Sequence, residues 1–166
     1  YPLLEKLTSP QLAELLSPNL ADLEDERPLM DCRQVMATNA VVYIGLDSLT
    51  DREVAGAVGN AMFADLTSLS GQIYKHGQGY GQSGQTAKRK VSIHADEFNE
   101  LIGDEFIPLL NKAGGAGYQV TVYTQTGQDV EARIGSTAKA EQIFGNLNTI
   151  YMLRVRNVVT AEMLTK

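Results

Sequence analysis

Four short runs rich in Val, Ile and Tyr recur along the chain: AVVYIGL at 40–46, KVSIHA at 90–95, YQVTVYTQ at 118–125 and TIYMLRV at 149–155. Segments with helical spacing separate them. Runs of this length and β-branched content read as strands, and an unbroken one such as 40–46 reads as a strand buried on both faces. Strands that alternate with helices imply a parallel sheet joined by right-handed crossovers. The sequence therefore predicts an α/β fold, a mostly parallel sheet flanked by helices. Any ligand site is expected at the carboxyl ends of the strands.

The segments between the strands fill in this plan. Residues 2–16, PLLEKLTSPQLAELL, place leucines at helical spacing around Pro10, as one broken helix or two short ones. The acidic stretch bracketed by Pro18 and Pro28 reads as a connector, and Pro28 suits the first turn of a short helix over 29–39. Residues 48–76 predict a long helix whose Thr50 stands three residues before Glu53, a capping pattern. Its Ala and Gly content permits close packing. The Gly/Gln/Ser stretch 77–89 reads as a linker. Residues 97–117 predict a helix broken near Gly103 and ended by glycines, and 127–147 predict two short helices. The chain divides into a helical segment, 1–38, and a sheet-bearing part, 39–166. No internal repeat is found.

Composition removes several functions. At 166 residues the chain is about one domain long by the usual prior of roughly 100–200 residues. Its 43% hydrophobic and 20% charged content is globular. A net charge of -6 argues against binding nucleic acid through bulk electrostatics, so a DNA contact needs a local basic patch. The basic run Lys88, Arg89 and Lys90 reads as a solvated approach to a strand. The single cysteine, Cys32, excludes an intramolecular disulfide, fits a reducing compartment and reads as a buried structural thiol. His76 and His94 have no Cys or His at ligand spacing, which argues against zinc. No run of about 18 apolar residues and no signal peptide is present. A chain that begins at Tyr1 reads as a piece of something longer.

The residues with chemistry lie at strand ends. Asp96 and Glu97 follow the run 91–95, where an open α/β sheet binds ligands. In nucleotide-hydrolysing motors of this architecture, the first acid holds Mg²⁺ directly or through water. The second polarises the attacking water. An acid pair is also an ordinary way for a strand to reach solvent. Gln125 ends the next run, and its amide can hydrogen-bond a γ-phosphate or the attacking water, or simply leave the sheet. The phosphate-loop signature GxxxxGK[S/T] occurs nowhere in the sequence. GQGYGQSGQTAKRK lacks its Lys-Ser/Thr and precedes a strand instead of following one, and the glycines of NKAGGAG end a helix. Arg154 and Arg156 read as surface charges or as groups reaching a neighbouring subunit's phosphates.

The blocks VVYIGLDSLTDREVAGAVGNAMFADLTS, VSIHADEFNELIGDEFIPLLNKAGGAGYQVTVYTQT and EARIGSTAKAEQIFGNLNTIYMLRVRN resemble the conjugative type IV coupling proteins, a TraD/TraG-like group, from about residue 28 to 166. They look closest to the TraD-like subgroup of integrating conjugative elements. The resemblance implies a RecA-like P-loop NTPase core lacking its Walker A segment, with 1–38 as the tail of an all-helical domain. It implies a hexameric Mg-dependent ATPase, anchored in the bacterial inner membrane with this part in the cytoplasm. That ATPase would drive single-stranded DNA from relaxosome to type IV secretion channel. SIHADE would be the Walker B motif, with Asp96 for Mg²⁺ and Glu97 as base, and TVYTQT would place Gln125 as γ-phosphate sensor. No arginine sits in a motif specific enough to be an arginine finger. With no Walker A of its own, this chain alone is expected to be inactive and to hold no tightly bound ATP. The rival expectation is a non-catalytic adaptor that keeps a RecA-like fold and binds protein partners.

Overall fold

The computed structural model describes residues 2–16, 21–27, 29–77, 90–154 and 158–162. The linker at 78–89, with Lys88 and Arg89, lies outside the described residues, as do Pro18, Pro28 and Arg156.

Pro10 starts a helix instead of breaking one, as its fixed φ allows: α1 is Pro2–Leu7 and α2 is Pro10–Leu16. The next helix is shorter than the sequence predicts. α3, Cys32–Thr38, begins where the Asp31 carboxylate accepts the Arg33 N–H at 2.8 Å, and it ends at Asn39 in the left-handed region, φ 61°. The long helix α4 spans Arg52–His76. Its N-cap is Asp51, which accepts from the Val54 N–H at 3.2 Å; the predicted Thr50 cap is used elsewhere. Asp47 gathers the N–H groups of Leu49 and Thr50 at 3.1 and 3.0 Å and the Thr50 hydroxyl at 2.5 Å. That turn occupies Thr50 and leaves Asp51 to satisfy the first orphan amides.

Strand β1, Val91–Ala95, pairs in parallel with β2, Tyr118–Val122, in the register Val91↔Tyr118 to Ala95↔Val122. The predicted break at Gly103 is present: α5 is Phe98–Leu101, α6 is Phe106–Ala113, and a 3₁₀ turn, Gly114–Ala116, leads to β2. The two short helices after β2 are α7, Gly127–Ile134, and α8, Thr137–Gly145; α9 is Val158–Glu162.

The core lies on one face of this sheet. Val91, Ile93 and Ala95 alternate with exposed Ser92 and His94, and Tyr118, Val120 and Val122 alternate with Gln119 and Thr121. The inward set packs against Phe63 of α4, Phe98 of α5, Phe106 and Leu109 of α6, Val130 of α7 and Ile143 of α8. Phe106 holds two aromatic contacts, with Phe63 at 5.0 Å and Phe98 at 4.8 Å between ring centroids. Of the N-terminal helices, α1 and α3 both pack on α4.

Two of the four predicted strands are absent among the described residues. Residues 40–46 and 149–154 form no ladder, and the sheet has two strands. Val41 is 97% exposed, Tyr43 93%, Tyr151 91% and Leu153 90%. The reading of 40–46 as a strand buried on both faces is corrected accordingly. β-branched content favours extended backbone locally, but a strand exists only through the N–H and C=O groups of a neighbour. The fold is thus helical with a small parallel sheet, an α/β arrangement.

Candidate functional site

Beyond the last ladder pair, the two strands stay tied. The Tyr123 N–H donates to Ala95 O at 2.9 Å, and the Phe98 N–H donates to Tyr123 O at 3.0 Å. Asp96 and Glu97 are caught between these bonds in a sharp strand-to-helix turn. Glu97 takes φ 44° and ψ 44°, left-handed backbone that a residue with a Cβ rarely adopts. Its N–H donates to Asp96 Oδ1 at 3.0 Å. Both side chains are exposed, and neither carboxylate forms an ion pair among the described residues.

Gln125 lies at the same end of the sheet, exposed, in a bend between β2 and α7. Thr126 is the N-cap of α7: its Oγ1 accepts the Asp129 N–H at 3.1 Å and donates to the Asp129 carboxylate at 2.7 Å. On the other side of Gln125, the Thr124 hydroxyl lies 3.1 Å from Asn99 Oδ1 and 3.3 Å from the Thr126 carbonyl. The Asn99 amide NH₂ donates to Glu100 Oε1 at 3.2 Å, and Glu100 is ion-paired with Arg52 at the start of α4.

The topology thus brings Asp96, Glu97 and Gln125 to one edge, as parallel neighbours in this register must be. Sequence reasoning did not single out Asn99 and Thr124. Their signal was position: polar residues two after Glu97 and one before Gln125. Arg154 is exposed.

Other features lie apart from this edge. An open cleft of about 470 Å³ between α4 and α7 is lined by Glu53, Asn60, Ile102 and Arg133 among others. Gly103 leaves room there for the Asn60 side chain, whose Oδ1 is buried without a partner among the described residues. The Cys32 thiol is half-buried beside Asp65, and burial, then that carboxylate, pushes its pKa up to about 12. Burial also raises the Tyr118 phenol, which donates to Met36 Sδ at 3.8 Å. On the outer face of the sheet, His94 Nδ1 lies 3.2 Å from the Tyr123 hydroxyl with the rings stacked. No group of three His, Cys, Asp or Glu at metal-binding distance occurs among the described residues, and no described helix is long and apolar enough to cross a membrane.

The fold and this edge define a class: α/β proteins that present polar side chains at the carboxyl ends of parallel strands. Residues 90–166 match the family model described as the TraM recognition site of TraD and TraG. That match supports a conjugative coupling protein C-terminal region for this part of the chain. The match starts at the residue before β1, so it contains both strands, the acid turn and Gln125. No curated protein and no solved structure shows a significant match to the chain.

Proposed function

We propose that this chain is part of the RecA-like motor of a coupling ATPase that moves single-stranded DNA through a type IV secretion system. The reading is carried by one observation: an exposed acid pair, with Glu97 in left-handed backbone, sits beside the Gln125 strand end within the matched region. Strained backbone of this kind concentrates at functional sites, because the surrounding structure must hold it there.

The donor set fits the group implied. Two exposed carboxylates at a strand end are the hard oxygen ligands that Mg²⁺ takes, alongside water and phosphate oxygens. Asp96 would hold the ion, directly or through water. Glu97 would take the proton of the attacking water, and Gln125 would offer its amide to that water or to the γ-phosphate. Bound Mg·ATP supplies the phosphoryl group that is transferred. The sequence contains no GxxxxGK[S/T], so the backbone cradle for the phosphates must come from elsewhere in the protein. In this reading the working form is a hexamer on the cytoplasmic side of the bacterial inner membrane. It would sit between relaxosome and secretion channel.

In the whole coupling protein, Glu97→Gln is expected to keep ATP binding while slowing hydrolysis by about 10²-fold or more, the range of a lost positioned base. Asp96→Ala is expected to weaken Mg²⁺-dependent binding itself. Wild-type rates in both variants would reduce the acid pair to a strand end. The chain on its own is expected to show no turnover, and Mg²⁺-dependent hydrolysis by it, abolished by Glu97→Gln, would overturn that.

A second reading is a non-catalytic adaptor that binds relaxosome or channel proteins. The description of the matched family, a recognition site for TraM, favours it, and TraM is then the partner to test on this chain. Saturable TraM binding by a coupling protein without ATP turnover would select the adaptor.

A further inference from the structure

We propose that Asn99 and Thr124 are positioning residues that hold the Gln125 bend against the acid turn, with Arg52 acting through Glu100 to fix the Asn99 amide. The proposal rests on the reading of Gln125 as the amide that faces the phosphate.

The ladder between β1 and β2 ends at Ala95 and Val122. Past it, the Phe98–Tyr123 backbone bond anchors the acid turn, in which Glu97 takes left-handed backbone. The Asn99–Thr124 bond is the next link outward, and it is made by side chains. Gln125 therefore hangs between two fastened threonines, Thr124 tied to α5 and Thr126 tied to α7 as its cap.

The amide orientation is determined as well. An ionised Glu100 only accepts hydrogen bonds, so it takes the Asn99 NH₂ and leaves Asn99 Oδ1 as the acceptor for the Thr124 hydroxyl. Arg52 holds Glu100 in place by ion pairing from the first residue of α4. The chain of contacts Arg52–Glu100–Asn99–Thr124 thus joins the start of the long helix to the residue preceding Gln125.

The test uses this chain and the whole coupling protein. In the chain, NMR order parameters are measured at Thr124, Gln125 and Thr126, together with amide exchange in the β1–β2 ladder. Thr124→Val and Asn99→Ala are each expected to lower the Gln125 order parameter while ladder exchange stays unchanged. Thr124→Ser, which keeps the hydroxyl, is expected to restore it, and Arg52→Gln to give a smaller loss. In the whole protein, Thr124→Val is expected to lower kcat about fivefold to tenfold, the size of one hydrogen bond, with KM for ATP unchanged and Thr124→Ser rescuing. An equally ordered Gln125 in Thr124→Val, or a Thr124→Ser variant as disordered as Thr124→Val, overturns the proposal. A wild-type protein without ATP turnover defeats the nucleotide reading instead, and the order parameters still decide whether the contacts position Gln125.

Discussion

Glu97 carries the clearest tension between stability and use. Left-handed backbone costs a residue with a Cβ about 1–2 kcal/mol, and glycine would escape that cost while losing about 0.5–1 kcal/mol through its freer unfolded chain. Glu97→Gly is therefore expected to raise stability by about 0.5–1 kcal/mol in urea unfolding, and a clear loss would contradict it. In the whole protein it should be as defective in hydrolysis as Glu97→Gln. Cys32 gives a prediction in pH. Its folded pKa is pushed from 9.0 up to about 12, so its contribution is fully present below pH 9 and is lost as pH rises toward 12. Tyr118, raised from 10.0, adds a loss of the same sign at higher pH. Urea midpoints should fall between pH 9 and 11, and Cys32→Ala should flatten the first part of that fall. An unchanged slope in Cys32→Ala would assign the loss to Tyr118 alone.

Among the elements, the helices report their own ends most directly. Thr126 caps α7 through the Asp129 N–H, and Thr126→Ala is expected to cost about 1 kcal/mol. Because the same cap fastens the bend at Gln125, the cost should come with a lower Gln125 order parameter, and a purely thermodynamic loss would separate the two roles. The strands behave differently. β1 and β2 stand because they pair with each other in register and share one buried face. Residues 40–46 and 149–154 are richer in β-branched and aromatic residues than β1, but among the described residues no strand is bonded to them. A parallel sheet is ordinarily covered on both faces, whereas the outer face here carries Ser92, His94, Gln119 and Thr121, polar enough to meet water.

For the whole molecule, the consequence is exposed apolar surface. Val41, Tyr43, Ile44, Tyr151 and Leu153 are all on the outside, and among the described residues both edges of the two-stranded sheet offer unpaired backbone. Such edges and patches promote pairing with further chains. The N-terminal helices do not relieve this, since α1 and α3 pack on α4, where Lys6 bridges Asp51 and Glu53 at 3.2 and 3.1 Å. The isolated chain is therefore expected to self-associate. Light scattering should show a mass that rises with concentration, and the double variant Tyr43→Lys with Tyr151→Lys should stay monomeric. A monomer at every concentration in the wild type would show that the exposed runs are harmless.

Local chemistry made much of this protein legible in advance. The break at Gly103, the pair of helices after β2, the strands at 91–95 and 118–122, and the acid pair and glutamine at their carboxyl ends follow from periodicity and residue type alone. These depend on neighbours within a few positions, and nearby sequence contains that information. Tertiary structure alone decided the rest. It determined which β-branched runs find a hydrogen-bonding partner, and it set the bond between Phe98 and Tyr123 beside which Glu97 takes left-handed backbone. It also joined Asn99 to Thr124, 25 residues apart. Each of these is a contact between distant segments, and a hydrogen bond exists only once the fold has brought its donor and acceptor together.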